Sequence, residues 1–232
     1  MPHTRTERFL FLAVLGAVFF ALAVAPAWAG CGDRPGPGVD WSGCTKARLV
    51  LKGQALKGAS FERAVLLGVD FGSADLSGAS FRASEMNHAS FTNALLEGAS
   101  FEKAVAVRVD FSGARFGRAT LEKAEFHRSD LARAMLKGVN LSKGDFGRSV
   151  FDGADLTGAS LRLSNLARAS FVGAKLAGAD LTQAFTFGAR FAATDLSGVK
   201  GLTQEQVDVA CGDARTALPR GLKAPASWPC EE

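Results

Sequence analysis

Residues 58–74 read GASFERAVLLGVDFGSA, and residues 98–114 read GASFEKAVAVRVDFSGA. Eleven of the seventeen positions are identical at a separation of forty, and GASF stands again midway, at 78–81. The spacing extends outward in both directions. Residues 49–198 hold 33 Leu plus Phe, and 27 of them fall on positions 51, 56, 61 and onward to 196. An even spread would place about 6 or 7 there, so the surplus marks an internal repeat. Two residues ahead of each, positions 49, 54, 59 to 194 carry Ala nineteen times, Ser four times and Val three times. The exceptions are Leu49, Gln54, Gly144 and Thr194.

A period of five suits neither regular element. On a helix five residues turn through about 500°, which smears an apolar stripe around the cylinder. On a flat strand an odd period sends successive Leu or Phe residues to opposite faces. The chain therefore turns once per five residues, and four turns close a square coil of twenty. Large and small apolar residues point inward, and each coil buries the open face of the next, which is a solenoid.

The repeat resembles that of the pentapeptide-repeat proteins, whose consensus is A(D/N)LXX. ADLSG at 74–78, ADLTG at 154–158 and ADLTQ at 179–183 match it fully, and looser AxFxx and AxLxx forms fill most of the rest. The resemblance implies an all-β fold, a right-handed quadrilateral β-helix. Thirty repeats make about 7.5 coils, a rod of about 36 Å at ~4.8 Å per layer. Ala106 and Thr186 are small intruders at the large position. The coil of Ala106 also holds Phe101, Phe111 and Phe116, which predicts that the missing volume is made up within that layer. Thr186 has no such compensation. Phe185 and Phe187 flank it, point outward, and are expected to be covered.

An open solenoid end exposes apolar surface and unpaired backbone, so both ends need lids. At the front, CGDRPGPGVDWSGC places Cys31 and Cys44 around a loop containing Trp41, and a Cys31–Cys44 bridge would fasten it. At the back, Thr203 with Gln206 three later reads as a capping box, and Gly212 as a stop. A short α-helix is expected at about 204–211. The tail returns to Cys230, and Cys211–Cys230 would pin it. This end is similar to the GLTxxQ…ACGD…LPxGL…P…W ending of many pentapeptide-repeat proteins. Val207, Val209, Leu218, Leu222 and Trp228 are the candidates to cover the last coil and Phe185 and Phe187. The other role for Phe185, Phe187 and Trp228 is a homodimer contact, which the family resemblance also implies.

Ahead of the rod, Arg5 and Arg8 precede the apolar run Phe9–Val24, followed by Pro26 and Ala27-Trp28-Ala29. That is the layout of a bacterial Sec-type signal peptide. The domain reading is a signal peptide at 1–29, a disulfide-closed cap at 30–48, the repeat rod at 49–198 and a helix-and-tail cap at 199–232. Sixteen apolar residues are short for a membrane span, so no stable span is expected after cleavage. Lipidation of Cys31 is the alternative, but it leaves three cysteines where an oxidising compartment favours an even number. A periplasmic or secreted location follows. Loss of two Arg and one Glu with residues 1–29 takes the formal charge from +4 to +3. That near-neutral value gives no electrostatic case for nucleic-acid binding.

Residues twenty apart form outward columns along the rod. One is nearly all glycine: Gly58, Gly78, Gly98, Gly138, Gly158, Gly178 and Gly198, broken by Arg118, as tight turns favour. A second reads His88, Arg108, Arg128, Arg148 and Arg168. Four arginines ~5 Å apart suit a row of phosphates or carboxylates, with Glu125 and Asp145 on the same face partly neutralising them. A third, Arg63, Lys103, Lys123 and Lys143, has Glu62, Glu102 and Glu122 beside it and reads as a solvated face. Only His88 and His127 follow the leader, and neither has a recognisable Ser or Cys partner. There is no metal-spaced cluster and no phosphate-cradling glycine loop, so no catalytic residue and no cofactor is expected. Asn140-Leu141-Ser142 matches a glycosylation sequon, with Leu141 in the core. The expectation is an exported, non-enzymatic scaffold or binding module whose partner is a protein or anionic envelope component. The alternative is a DNA-mimicking, topoisomerase-binding member of the same family, which needs an acidic surface and a cytoplasmic address.

Overall fold

A computed structural model of the chain describes residues 30–229. The expected signal peptide and Cys230 lie outside the described residues. The chain rises by parallel bridges twenty residues apart, as in Ser60↔Ser80, Ser80↔Ser100 and Ser100↔Thr120. Each bridge is one residue wide, because the backbone turns again before a second pair can form. Phe61 N–H donates to Ser80 O (2.7 Å) and Ser80 N–H returns to Ala59 O (2.9 Å), and the pattern recurs coil after coil. Among the described residues two stretches lengthen into strands, β1 (Val105–Val107) and β2 (Glu125–His127), paired in parallel with Val105 opposite Glu125.

The usual corner is a tight turn, with Ala64 N–H donating to Phe61 O (3.1 Å). Its last residue before the small apolar one has positive φ, as at Gly58 (66°), Gly78 (69°) and Arg118 (58°). Glycine reaches that region without strain, whereas an L side chain there costs about 1 kcal/mol or more. The Asp or Asn preceding the large residue has its own task. Asp70, Asp110 and Asp130 accept the amide two residues on, at 2.8 Å each. This short side-chain bond mimics a backbone turn and accounts for the D/N of the consensus. At Asp75 and Asp180 the hydroxyl two residues on bonds too, from Ser77 (2.6 Å) and Thr182 (2.5 Å). Hydrogen bonds from Ser77 to Asp75, and from Ser197 to Asp195, hold those carboxyls below their ordinary range.

Inside, the large positions are buried throughout, from Leu51 to Leu196. Phe61, Phe81 and Phe101 stack at centroid spacings of 4.8 Å, and Phe71, Phe91 and Phe111 do the same on the opposite side. Ring stacking and coil spacing coincide, so one column of phenylalanines fills the rod without adjustment. Burying each ring contributes about 1.5–3 kcal/mol. Around Ala106 the compensation crosses layers. Phe116 lies 6.0 Å from Phe101 and 5.2 Å from Phe111, as its coil predicts. Phe126, directly above Ala106 in its face, also comes within 6.0 Å of Phe101 and 5.3 Å of Phe111. Gly144 has a similar cause. A Cβ there would stand 2.5 Å from the Phe146 ring, which occupies the space an alanine would use.

At the front the ladder begins before residue 49, with Asp40↔Ser60 and Thr45↔Val65. Trp41 takes a large position one coil ahead of Phe61, edge-on to it at 5.9 Å. Cys44 takes a small position, and its disulfide to Cys31 draws the loop in with Cα atoms 5.6 Å apart. Lys46 places its Nζ over the Trp41 ring at 4.3 Å and donates to Cys31 O.

At the back, helix α1 (Gln204–Asp208) starts at Thr203 with the full capping box and ends at Val209, short of Gly212. Thr186 is explained here, because its Oγ1 donates to Gln206 O (2.7 Å) and ties α1 to the rod. Gln206 Nε2 donates to Leu181 O (2.9 Å) and Ala184 O (2.7 Å). Asp213 Oδ1 accepts Ala193 N–H (3.0 Å), where another coil would have offered a carbonyl. The tail does not cover Phe185 and Phe187, which remain 56% and 48% exposed. Trp228 lies instead across Gly212, where an added Cβ would meet the indole at 2.3 Å, and its Nε1 donates to Ala210 O (2.7 Å). Val207 and Ala210 are buried and Leu218 packs against the core, while the two phenylalanines stay outward.

Candidate functional site

The second column occupies a positive-φ corner in every coil, with His88 at 59°, Arg108 at 58°, Arg128 at 53°, Arg148 at 59° and Arg168 at 57°. Each backbone amide donates to the residue nineteen on: Arg108 to His127 O (3.0 Å), Arg128 to Gly147 O (2.9 Å), Arg148 to Ala167 O (2.8 Å) and Arg168 to Phe187 O (2.8 Å). The side chains therefore rise from a fixed ladder at ~4.8 Å per step, and all five are exposed.

Partners separate this column from the third one. Lys103 lies 3.6 Å from Glu102, Lys123 is 4.0 Å from Glu122 and Lys143 is 3.7 Å from Glu122. That column is a paired, solvated face. Arg108, Arg128, Arg148 and Arg168 have no carboxylate within 4.0 Å among the described residues. Asp145, expected to offset them, is committed elsewhere. Its Oδ1 accepts Gly147 N–H (3.0 Å) and Asn165 Nδ2 (3.0 Å) and lies 3.4 Å from His127 Nδ1. Arg168 instead stands over the Phe187 ring, 5.9 Å from its centroid.

The corners at Arg108 and Arg128 are also built differently. Ala89 N–H closes its turn onto Met86 O, and Ser149 N–H onto Phe146 O, at 3.0 Å each. Val109 N–H goes to Ser129 Oγ (3.3 Å) and Ser129 N–H to Ser149 Oγ (3.0 Å), while Ser149 Oγ donates to Phe126 O (2.6 Å). Buried serines in the alanine register thus replace the turn bonds where β1 and β2 run straight. The sequence shows these serines only as tolerated small residues. Their effect depends on which corner lies one coil below.

Beside the column, the residues between Asn165 and Arg168 and their counterparts below leave a hollow of about 430 Å³. Arg128, Arg148 and Arg168 line one wall, Gly147 and Ala167 the floor, and His127 and Phe187 the two ends. Gly147, Asn165 and Ala167 were not singled out from the sequence. The signal was available in the twenty-residue column Val107, His127, Gly147, Ala167, Phe187, where two small residues interrupt larger ones. His88 lies lower in the same column, beside Asn87 and Val107, away from this hollow. No group of three His, Cys, Asp or Glu placed to hold a metal occurs among the described residues. No helix among them is long and apolar enough to cross a membrane.

A stapled solenoid with an invariant interior and variable outward columns defines the class of repeat scaffold. The chain belongs to the pentapeptide-repeat family. Residues 110–148 and 145–183 match a family model described as pentapeptide repeats (8 copies), and residues 61–105 match one described as pentapeptide repeats (9 copies). Among solved structures the chain is similar to HetL, a pentapeptide repeat protein involved in heterocyst differentiation regulation from the cyanobacterium Nostoc sp. strain PCC 7120. That match has 22% identity over 81% of this chain and 90% of that one, with a TM-score of 0.43. It is similar to QnrB1, a plasmid-mediated fluoroquinolone resistance protein, at 20% identity over 80% and 92%, TM-score 0.38. A pentapeptide repeat protein of the Arabidopsis thaliana thylakoid lumen matches at 26% identity over 57% and 68%, TM-score 0.29. No curated protein matches the sequence.

Proposed function

We propose that this protein is an exported, non-enzymatic binding scaffold that presents the arginine column to an anionic protein or other anionic component of the cell envelope. In this reading the rod has about 7.5 right-handed coils, closed at its far end by α1 and the tail. The observation that carries the proposal is the contrast between two basic columns. Lysines pair with Glu102 and Glu122, while Arg108, Arg128, Arg148 and Arg168 keep their charge for a ligand. Regularly spaced guanidiniums suit a partner carrying several phosphates or carboxylates. Export is supported by the charged, apolar and small-residue layout of residues 1–29.

The test replaces all four arginines with glycine, which the same corner already accepts at Gly68 and Gly188. Retention on immobilised heparin, and the set of partners captured from envelope extracts, should both fall relative to wild type. Identical retention and identical partners in both proteins would sink the proposal. Fractionation of a tagged full-length chain tests export, and a full-length cytoplasmic product would revive the DNA-mimic reading. A homodimer through the carboxy-terminal end is favoured by one observation, the exposed stacked pair Phe185 and Phe187 at 6.3 Å. Sedimentation of wild type against Phe185→Ser/Phe187→Ser decides it, since one monomeric species in both excludes the dimer.

A further inference from the structure

The arginine column is not uniform along its length. Below Arg108 it is bordered by Leu67, Asn87 and Val107, with Arg48 and His88 as the basic side chains beside them. Between His127 and Phe187 the same column is bounded by three arginines in succession, and the adjoining column falls away to a glycine and an alanine. Gly147 is buried, and its backbone sits at the bottom of the gap. A Cβ there would come 3.2 Å from Asp145 Oδ1 and 3.6 Å from His127 Nδ1. Residue 147 has no side chain to occupy this part of the hollow. Its upper wall is an aromatic ring, half exposed, with Arg168 already stationed over it.

We infer that this notch is a binding site for a phosphomonoester carried on an aromatic or flat apolar group. The inference narrows the preceding proposal to one stretch of the column and rests on it. The phosphate oxygens take the wall of Arg128, Arg148 and Arg168, whose forked N–H donors match a tetrahedral oxyanion. Asp145 stands beside the floor, 3.2 Å from where a Gly147 Cβ would be. Its Oδ1 is held by Gly147 N–H, Asn165 Nδ2 and His127, which turns its charge toward those donors. The flat carrier packs against the exposed part of Phe187, which keeps Arg168 over its ring and Phe185 stacked beside it, so the contact is edge-on. A long polyanion can run the whole column, but it gains nothing from the notch floor or from Phe187. The compact aryl phosphate uses both.

The experiment is isothermal titration of the purified protein with phenyl phosphate and, separately, inorganic phosphate, alongside heparin retention. Wild type should bind phenyl phosphate about threefold to tenfold more tightly than inorganic phosphate. Phe187→Ala should erase that ratio and leave inorganic phosphate binding unchanged. Gly147→Val fills the notch while every charge stays in place. A bulky aliphatic side chain at this turn position is already accepted four coils below, at Leu67, and unchanged melting confirms the fold. This variant should lose at least tenfold in affinity for phenyl phosphate and keep its heparin retention. Phenyl phosphate binding equal in Gly147→Val and wild type, or no preference for phenyl over inorganic phosphate, overturns the notch. If heparin retention still depends on the four arginines, the column stands while the notch falls. If it depends on neither, the broader proposal falls with it.

Discussion

The two ends of the rod treat the twenty-residue register differently. At the amino-terminal end the chain stays in register: Asp40 bridges Ser60, Trp41 stands under Phe61, and Cys44 sits in the alanine position. Closure there stays within the repeat's own pattern. At the carboxy-terminal end the register slips, with Arg190 bridging Cys211 and Asp195 bridging Ala217 instead of partners twenty residues on. Polar side chains then stand in for the missing coil. Gln206 supplies amide donors, Asp213 an acceptor, and Thr186 and Thr216 hydroxyls aimed at Gln206 O (2.7 Å) and Phe191 O (2.9 Å). A repeat can begin by placing larger or cross-linked residues inside its own pattern. To stop, it must satisfy backbone groups that the pattern would have satisfied by continuing.

That contrast predicts which perturbations hurt which end. Trp41→Ala should cost most, about 3–5 kcal/mol by denaturant unfolding, because it empties the first layer beneath Phe61. Trp41→Phe should cost far less, since the indole Nε1 is buried with no hydrogen-bond partner among the described residues. Equal losses from both would show that Trp41 does not act as a packed plug. Cys31→Ser/Cys44→Ala comes next, at about 3 kcal/mol for a loop of this length. Alanine at 44 restores the repeat's own residue, so the loss should appear in the amino-terminal amides by hydrogen exchange. Gln206→Ala should cost about 1–3 kcal/mol by freeing the Leu181 and Ala184 carbonyls and half the capping box. Its exchange should rise around 181–211 and leave residues 40–60 unchanged.

The carboxy-terminal closure should also weaken in acid. The Ala193 amide, helped by Arg215 and Thr216 against some desolvation, lowers the Asp213 carboxyl from 3.8 to about 2. A depressed folded-state value means a contribution present above about 3.8 and lost as pH falls toward about 2. The melting-temperature gap between wild type and Asp213→Ala should therefore be largest near neutrality and close across that window. A gap that is constant with pH would mean that the charge on Asp213 plays no part. Smallest is the effect of the arginines on the rod itself. Arg148→Gly should leave stability unchanged or raise it by up to about 1 kcal/mol, because φ is +59° there. A clear loss would make Arg148 part of the scaffold and not of the binding face.

The interior was legible because burial repeats the same demand at every fifth residue. Phe61, Phe81 and Phe101 obey one rule, and so do Ala59, Ala79 and Ala99. The exceptions were visible but not interpretable. Thr186 breaks the rule for a helix that begins eighteen residues later, and Gly144 breaks it for a ring two residues on. The cover expected over Phe185 and Phe187 failed because Val207 and Leu218 pack toward the core and Trp228 lies on Gly212, away from both rings. The arginine column could be read as a row of identical residues. Its freedom from carboxylates could not, since Asp145 lies on the same face but gives its oxygen to Asn165 and Gly147.

Periodicity dictated the inside of this protein, because a rod with one packing layer per coil tolerates only a few side-chain volumes at each inward position. What the outside does was settled by three-dimensional neighbours: which lysine finds a glutamate, which serine opens a corner one coil below, and where a missing side chain at Gly147 leaves a hollow between three arginines and a phenylalanine. Those relations join residues about twenty apart through hydrogen bonds and ion pairs whose strength depends on distance and direction. A one-dimensional pattern brings such residues close, but it does not fix which of their atoms meet.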